Sequence, residues 1–270
     1  MSKKERADVA LVRQGMTESR EKAQALIMAG LVFANLRKIN KPSDAVGEEE
    51  VLSVKGSPQP FVSRGGLKLE KALDFFGANV SNIVAMDIGA ATGGFTDVLL
   101  KRGAAHVYAI DVGYGQLDWE LRNHPHVTVM ERTNARYLTK EQVNKHPSLT
   151  VMDVSFISIR LILPVAAEIM GDNGRFYTLI KPQFEAGKDR VGKKGVVRDP
   201  EVHQAVIEEI VDFCPTFGYQ VEGLTFSPIT GPEGNIEFLA NIAPSKYATF
   251  LIDRHLIRKI VDEAHSVLKR

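Results

Sequence analysis

From residue 83 onward the chain switches back and forth between two hydrophobic periods. Short runs rich in branched and aromatic residues recur at Ile83–Ile88, His106–Ile110, Val127–Glu131, Leu149–Met152 and Arg175–Ile180. Between them helical spacing appears near 94–102, 115–123, 139–146 and 158–170, then in a longer stretch near 200–214. A repeated strand–helix unit closes as a parallel sheet with helices on both faces, because each parallel connection must cross over the sheet. The runs are apolar almost throughout, as strands buried on both faces require. Two more strands, Gln220–Ser227 and Ile236–Ile242, flank the turn-rich "PITGPEGN" and predict an antiparallel pair. The expected fold class is α/β, with a Rossmann-like, mostly parallel sheet and an antiparallel last strand.

The first of these strands runs into "MDIGAATGGFTD" (residues 86–97). Glycines at 89, 93 and 94, placed between a strand and a helix, let the backbone turn tightly and approach a ligand closely. The next strand ends in Asp111, where an acidic side chain can accept hydrogen bonds from both hydroxyls of a ribose. NAD and S-adenosylmethionine are both bound by such arrangements. The glycine spacing is not GxGxxG, which counts against NAD, and no phosphate loop of the GxxxxGK[ST] type is present. The pattern D-x-G-x-x-T-G-G-F fits a methyltransferase better.

Four ionisable residues stand where charge is costly. Lys68 lies in a helical stretch, "SRGGLKLEKALDFF", before the first strand. Asp153 ends the fourth strand and Lys181 the fifth, and Glu237 sits inside the apolar "NIEFLANI". Ligands of open α/β sheets bind beyond the carboxyl ends of the strands, so Asp153 and Lys181 share a crevice rim with the Gly89 loop. Strands often finish on a polar residue simply because the chain is leaving the core. Glu237, within an apolar run, must be paired if it is buried.

The N-terminal part has a different character. Residues 1–42 hold nine Lys/Arg and four Asp/Glu, a net charge of +5 inside a chain of +1 overall. A basic block of this kind is a nucleic-acid footprint or a solvated surface. Ala7–Arg13 reads as one helix. A second, with Thr17 as N-cap, stops at Gly30, and short strands follow over 31–54. "KGSPQP" (55–60) is rich in Gly, Ser and Pro. The expected division is 1–58, a linker over 59–62, a catalytic domain over 63–244, and a tail helix over 245–270 packed upon it. Cys214 is the only cysteine, which fits a reducing, cytoplasmic setting. No metal-ligand spacing, signal peptide or long apolar run is visible, so neither metal nor membrane is expected.

These segments together carry a resemblance. "SRGGLKLEKAL", "DIGAATGGFTD", "AIDVGYGQL", "ERTNAR", "MDVSFIS", "LIKPQFE" and "GNIEFL" occur in order, and the N-terminal segment resembles an S4 RNA-binding module. The chain resembles the TlyA family of ribosomal RNA 2′-O-methyltransferases, which carry an FtsJ-like catalytic domain and are often labelled hemolysin A. The resemblance implies a class I methyltransferase sheet, S-adenosylmethionine as cofactor, and ribosomal RNA or ribosomal subunits as partner. It implies a Lys-Asp-Lys-Glu tetrad at Lys68, Asp153, Lys181 and Glu237. Lys181 would accept the hydroxyl proton, helped by a cation at Lys68 that could share the role. Asp153 would orient Lys181, and Glu237 would hold Lys68.

The implied cofactor loop is Gly89, Ala90, Ala91, Thr92, Gly93, Gly94 and Phe95, with Asp111 on the ribose and Asp153 near the methyl-bearing end. Asn134 stands where FtsJ-like enzymes commonly place an adenine-binding Asp. RNA would meet Arg6, Arg13, Arg20 and Lys22 in the N-terminal module. Arg64 would add to them, as would Lys188, Arg190, Lys193 and Lys194 in a mobile loop over the crevice. The competing readings are an NAD-type dehydrogenase, a membrane-acting hemolysin, and a non-catalytic RNA-binding protein on the same fold.

Overall fold

The computed structural model describes all residues except 1–3, 36, 48–49, 55–59, 249 and 269–270. The chain forms two compact units, Met1–Pro60 and Phe61–Arg270. Most of the "KGSPQP" segment expected at their junction lies outside the described residues.

The first unit runs β1 (Lys4–Arg6), α1 (Ala7–Arg13), α2 (Arg20–Met28), β2 (Val32–Ala34), β3 (Arg37–Lys38), β4 (Ala45–Gly47) and β5 (Leu52–Val54). β1 pairs with β4, and β2 lies between β3 and β5, all antiparallel. Ala7, Ala10, Leu11, Ala23, Ile27, Val32, Ile39 and Leu52 fill its core. The N-cap of α2 is Ser19 rather than the expected Thr17. Ser19 has extended backbone and its Oγ accepts from Lys22 N at 3.2 Å, whereas the Thr17 hydroxyl turns to the Ser19 carbonyl.

The second unit begins with α3 (Gly66–Phe75), β6 (Val84–Ile88), α4 (Gly94–Lys101), β7 (His106–Ile110), α5 (Trp119–Arg122) and β8 (Val127–Met130). It continues with β9 (Leu149–Met152), α6 (Leu163–Met170), β10 (Arg175–Ile180), α7 (Pro182–Glu185), α8 (Pro200–Phe213), β11 (Tyr219–Phe226), β12 (Phe238–Pro244) and α9 (Arg254–Leu268). The seven strands are ordered β11-β12-β10-β9-β6-β7-β8. Strands β10, β9, β6, β7 and β8 are mutually parallel, while β12 runs antiparallel to both β10 and β11.

Both faces of the sheet are covered. Along β10, Phe176 and Ile180 point into a core shared with α6, α8 and α9, and Tyr177 and Leu179 into one shared with α3 and α4. α9 contributes Ile257, Ile260, Val261 and Ala264, an i, i+3, i+4, i+7 stripe that makes one apolar face. Asp199 caps α8 through Glu201 N, with Pro200 at the first helical position. Among the described residues no helix is long and apolar enough to cross a membrane.

Three expected elements change, the first being the helix near 115–123, which is confined to Trp119–Arg122 behind its Asp118 cap. The helix near 139–146 is a single 3₁₀ turn, Lys140–Gln142, because Val143 alone there reaches the core and one anchor cannot hold a further turn. Glu237 does not lie inside a strand but immediately before β12. Since β12 is antiparallel, its amino end reaches the edge where the parallel strands finish. Phe238 pairs with Ile180, so Glu237 arrives beside Lys181.

Candidate active site

A cavity of about 440 Å³ opens at the carboxyl ends of β9, β6, β7 and β8, within the roughly 300–1,000 Å³ usual for small-molecule sites. Each strand supplies one part of its lining. Ile88 ends β6, with Gly89 and Ala91 after it, and Ile110 ends β7, with Asp111, Val112 and Gln116 after it. Thr133, Asn134 and Ala135 follow β8, and Asp153 to Ile157 follow β9. Gly89 is required at its place. It has φ +86°, and a Cβ there would lie 2.6 Å from the Asp153 carbonyl oxygen. The strand ends thus meet backbone to backbone, which leaves the cavity open.

The glycine loop divides in two. Gly89 and Ala91 line the cavity. Ala90 packs beneath it with Leu117 and Leu121, and Thr92 is exposed and accepts from Asp118 N. Gly93, at φ +96°, makes room for Leu117 and Leu121. Gly94 admits the start of α3, since a Cβ there would lie 2.9 Å from Gly66 N. Phe95 belongs to the core between α4 and the sheet and does not reach the cavity. Asp111 turns both carboxylate oxygens to backbone, accepting from Ala91 N at 2.9 Å and Gly113 N at 2.7 Å. It therefore shapes the loop as well as lining the site. Asn134 caps a short 3₁₀ turn, its Oδ1 accepting from Arg136 N at 3.1 Å.

The four singled-out charges form one row, which meets this cavity at Asp153. Glu237 Oε2 lies 2.6 Å from Lys68 Nζ, and Lys68 Nζ lies 3.3 Å from Asp153 Oδ2. Asp153 Oδ1 lies 2.5 Å from Lys181 Nζ, which also donates to Ser155 Oγ at 3.1 Å. The signs alternate. Lys68 is 7 %, Lys181 6 % and Glu237 0 % exposed, so the row is tolerable only because each ion has an opposite neighbour. Burial works against the charge on Lys68, but Asp153 and Glu237 outweigh it and raise its pKa above the ordinary lysine value. The two ammonium groups do not face one another bare, as a simple lysine–lysine repulsion would need. Asp153 stands between them. Gly231 leaves the space that the Glu237 carboxylate occupies, and Gln183 Nε2 donates to its Oε1 at 3.2 Å.

Residues 61–242 match the FtsJ-like methyltransferase family and residues 5–52 the S4 domain. YqxC of Bacillus subtilis is 49% identical over 99% of this chain and 96% of its own length. The 16S/23S rRNA (cytidine-2′-O)-methyltransferase TlyA of Mycobacterium tuberculosis is 44% identical over 88% of this chain and 89% of its own. A solved structure from Streptococcus thermophilus that carries a hemolysin name is 44% identical, with a TM-score of 0.78 over 100% of this chain and 98% of that one. The chain belongs to the TlyA family of FtsJ-like methyltransferases. It is a methyltransferase whose methyl donor is S-adenosylmethionine. The cavity suits that donor. Ile88, Ile110, Ala135 and Ile162 offer apolar walls for a flat ring, Asp111 acceptor oxygens for a sugar, and Asp153 a carboxylate toward the charged row.

Behind the glycine loop of this TlyA-family protein stands a buried acid with no role evident from the sequence. Asp87 is fully buried on β6, where its Oδ2 accepts from the Thr96 hydroxyl of α4 at 2.6 Å. Its Oδ1 has no hydrogen-bond partner among the described residues. Burial pushes the carboxyl up from 3.8 to about 7, against the hydrogen bonds from Thr96. The folded protein then keeps a proton that the unfolded chain releases near 3.8. Between those values the folded state binds more protons, so this group costs stability progressively as pH rises through that window and adds no further loss above it. Asp87→Asn cannot lose that proton. Relative to wild type it should gain roughly 2–3 kcal/mol between about pH 5 and about pH 8 in urea melts. A difference that does not change with pH would remove Asp87 as the source.

The basic residues assigned to RNA are placed unevenly. Asp8 is fully buried and accepts from Arg6 at 2.9 and 3.0 Å, from Arg20 at 3.0 Å and from Gln24 at 3.0 Å. The Arg6 hydrogen bonds lead in holding its carboxyl well below the usual range. Arg13 pairs with Glu5 and Lys22 with Glu18, so all four predicted contacts of the first unit are already ion-paired. Arg64, Lys188, Arg190, Lys193 and Lys194 are exposed in the second unit. The segment expected to be a mobile flap is pinned. Asn235 accepts from Val197 N and donates to Gly195 O, and Arg190 binds the Ala186 carbonyl and Glu209.

Proposed function

We propose that the protein transfers a methyl group to a ribose 2′-hydroxyl of ribosomal RNA, at a cytidine as in its M. tuberculosis relative. The observation that carries this is the alternating row Glu237–Lys68–Asp153–Lys181, which meets the cofactor cavity at Asp153. S-adenosylmethionine supplies an electrophilic methyl group on a sulfonium. A 2′-hydroxyl is a weak nucleophile, so the protein must align it in line with that methyl and take up its proton. Lys68, with its raised pKa and two carboxylate partners, stays protonated. The proton is therefore assigned to Lys181 Nζ, which must enter the step as a neutral amine. Asp153 binds both lysines and so fixes where that amine points. Glu237 keeps Lys68 charged, and Lys68 in turn holds Asp153 in place.

The test is mass mapping of ribosomal RNA and isolated subunits treated with protein and S-adenosylmethionine. 2′-O-methyl cytidine in 16S rRNA, 23S rRNA or both is the expected product, and methylation of a base atom, or of no RNA, would sink the reading. The S4-like unit and the exposed basic residues support RNA as the substrate. A variant lacking residues 1–60 should bind RNA more weakly, with a shallower slope of log K against log salt. An unchanged slope would place the phosphate contacts elsewhere.

A further inference from the structure

Glu185 is not part of the charged row, yet it is 5 % exposed and commits both carboxylate oxygens to one stretch of chain. Ser158 Oγ donates to Oε2 at 2.6 Å and Ile159 N to Oε1 at 2.8 Å. The Arg160 guanidinium stands 3.6 Å from Oε2 and also donates to the Glu185 carbonyl at 3.4 Å. That stretch begins at Asp153, and Asp153, Val154, Ser155, Phe156 and Ile157 all line the cofactor cavity. It is irregular chain. Phe156 has φ +64°, and helical geometry resumes only with the 3₁₀ turn Ile159–Leu161, so no strand or helix ladder holds residues 154–158. At its other end Glu185 closes α7, the turn that opens at Lys181. Phe184 N and Glu185 N both donate to the Lys181 carbonyl, at 2.9 and 3.2 Å.

One buried carboxylate thus fastens the segment that presents Asp153 to the turn that presents Lys181. We propose that Glu185 is a positioning residue for methyl transfer, setting the Asp153 segment against the Lys181 turn and so the rim of the cofactor cavity. It rests on the charged row acting as assigned above. Without Glu185, Ser158 and the Ile159 amide lose their acceptor, and only the Lys181–Ser155 hydrogen bond and the Phe156–Phe184 ring contact still tie the 154–158 segment to the Lys181 turn. Displacement of catalytic groups by about 1 Å can cost a hundredfold in rate.

The test compares wild type, Glu185→Ala, Glu185→Gln and Ser158→Ala by calorimetric binding of S-adenosylmethionine, single-turnover methyl transfer to RNA at saturating donor, and urea melts. Glu185→Ala should bind the donor several-fold more weakly and lose about 10–100-fold in turnover rate. Glu185→Gln keeps an acceptor for Ile159 N and should recover most of both. Ser158→Ala should lose less in the same direction, and adding it to Glu185→Ala should cost little more. If Glu185→Ala lowers only the melting midpoint, with donor affinity and single-turnover rate at wild-type values, Glu185 is structural and the proposal falls. If Glu185→Ala does not fold, wild-type rate and affinity in Ser158→Ala overturn it equally, because that variant removes the Ser158 contact and leaves Glu185 in place. Should wild type itself transfer no methyl to RNA, the function reading fails. The donor-binding arm then decides on Glu185 alone.

Discussion

Lys181→Ala should bind S-adenosylmethionine almost as wild type does and methylate RNA about 10²–10⁴-fold more slowly, the usual contribution of a positioned proton acceptor. The fold should survive the change. Asp153 keeps Lys68 as its counter-ion, and at 19% side-chain exposure it can also be hydrated. Lys181→Arg is the sharper variant. It preserves the ion pair with Asp153, but a guanidinium is never deprotonated in a protein and cannot take a proton. If Lys181 serves only to hold Asp153, the arginine variant retains activity. If Lys181 accepts the proton, it fails about as badly as alanine. Single-turnover rates with ribosomal RNA separate the two outcomes.

Glu237→Gln should produce the largest loss of stability, about 3–5 kcal/mol in urea melts, because it removes one partner from a buried ion pair. Glu237 is fully buried and its two oxygens accept from two donors, Lys68 on Oε2 and Gln183 on Oε1. A glutamine offers one acceptor and sets its own N–H group against the other donor, while Lys68 keeps its charge with Asp153 alone. Adding Lys68→Met should then restore much of the loss, since no cation is left without its carboxylate. The double variant should be stable and inactive. A single variant within about 1 kcal/mol of wild type would show that Glu237 is not needed to hold that charge.

Helix and strand periods were readable residue by residue where both faces of an element are buried. β7, β9 and β10 fall where their apolar runs predict them. The Gly89 turn was readable because only glycine fits a backbone so close to Asp153. Segments with a single core anchor were not readable. The stretch 139–146 has helical composition, but Val143 alone reaches the core and the helix does not form. Side-chain direction within the glycine motif was also hidden. Phe95 and Asp87 sit among the loop residues in sequence, but one packs into the core beside α4 and the other accepts from it. Ion pairing was invisible for the same reason. Arg6 and Arg20 read as free cations, and only the folded chain brings both to the buried Asp8.

The sequence alone determined the parallel strands buried on both faces, the strand ends that carry Asp153 and Lys181, and the family, because these rest on local periodicity and on short motifs. Only the tertiary structure decided how four distant charges become one row. β12 is inserted antiparallel between β10 and β11, so Glu237 enters at the edge where the parallel strands end, and Lys68 comes to the same edge from α3. No local pattern encodes that meeting, because a buried charge is tolerated only by partners that distant strands deliver.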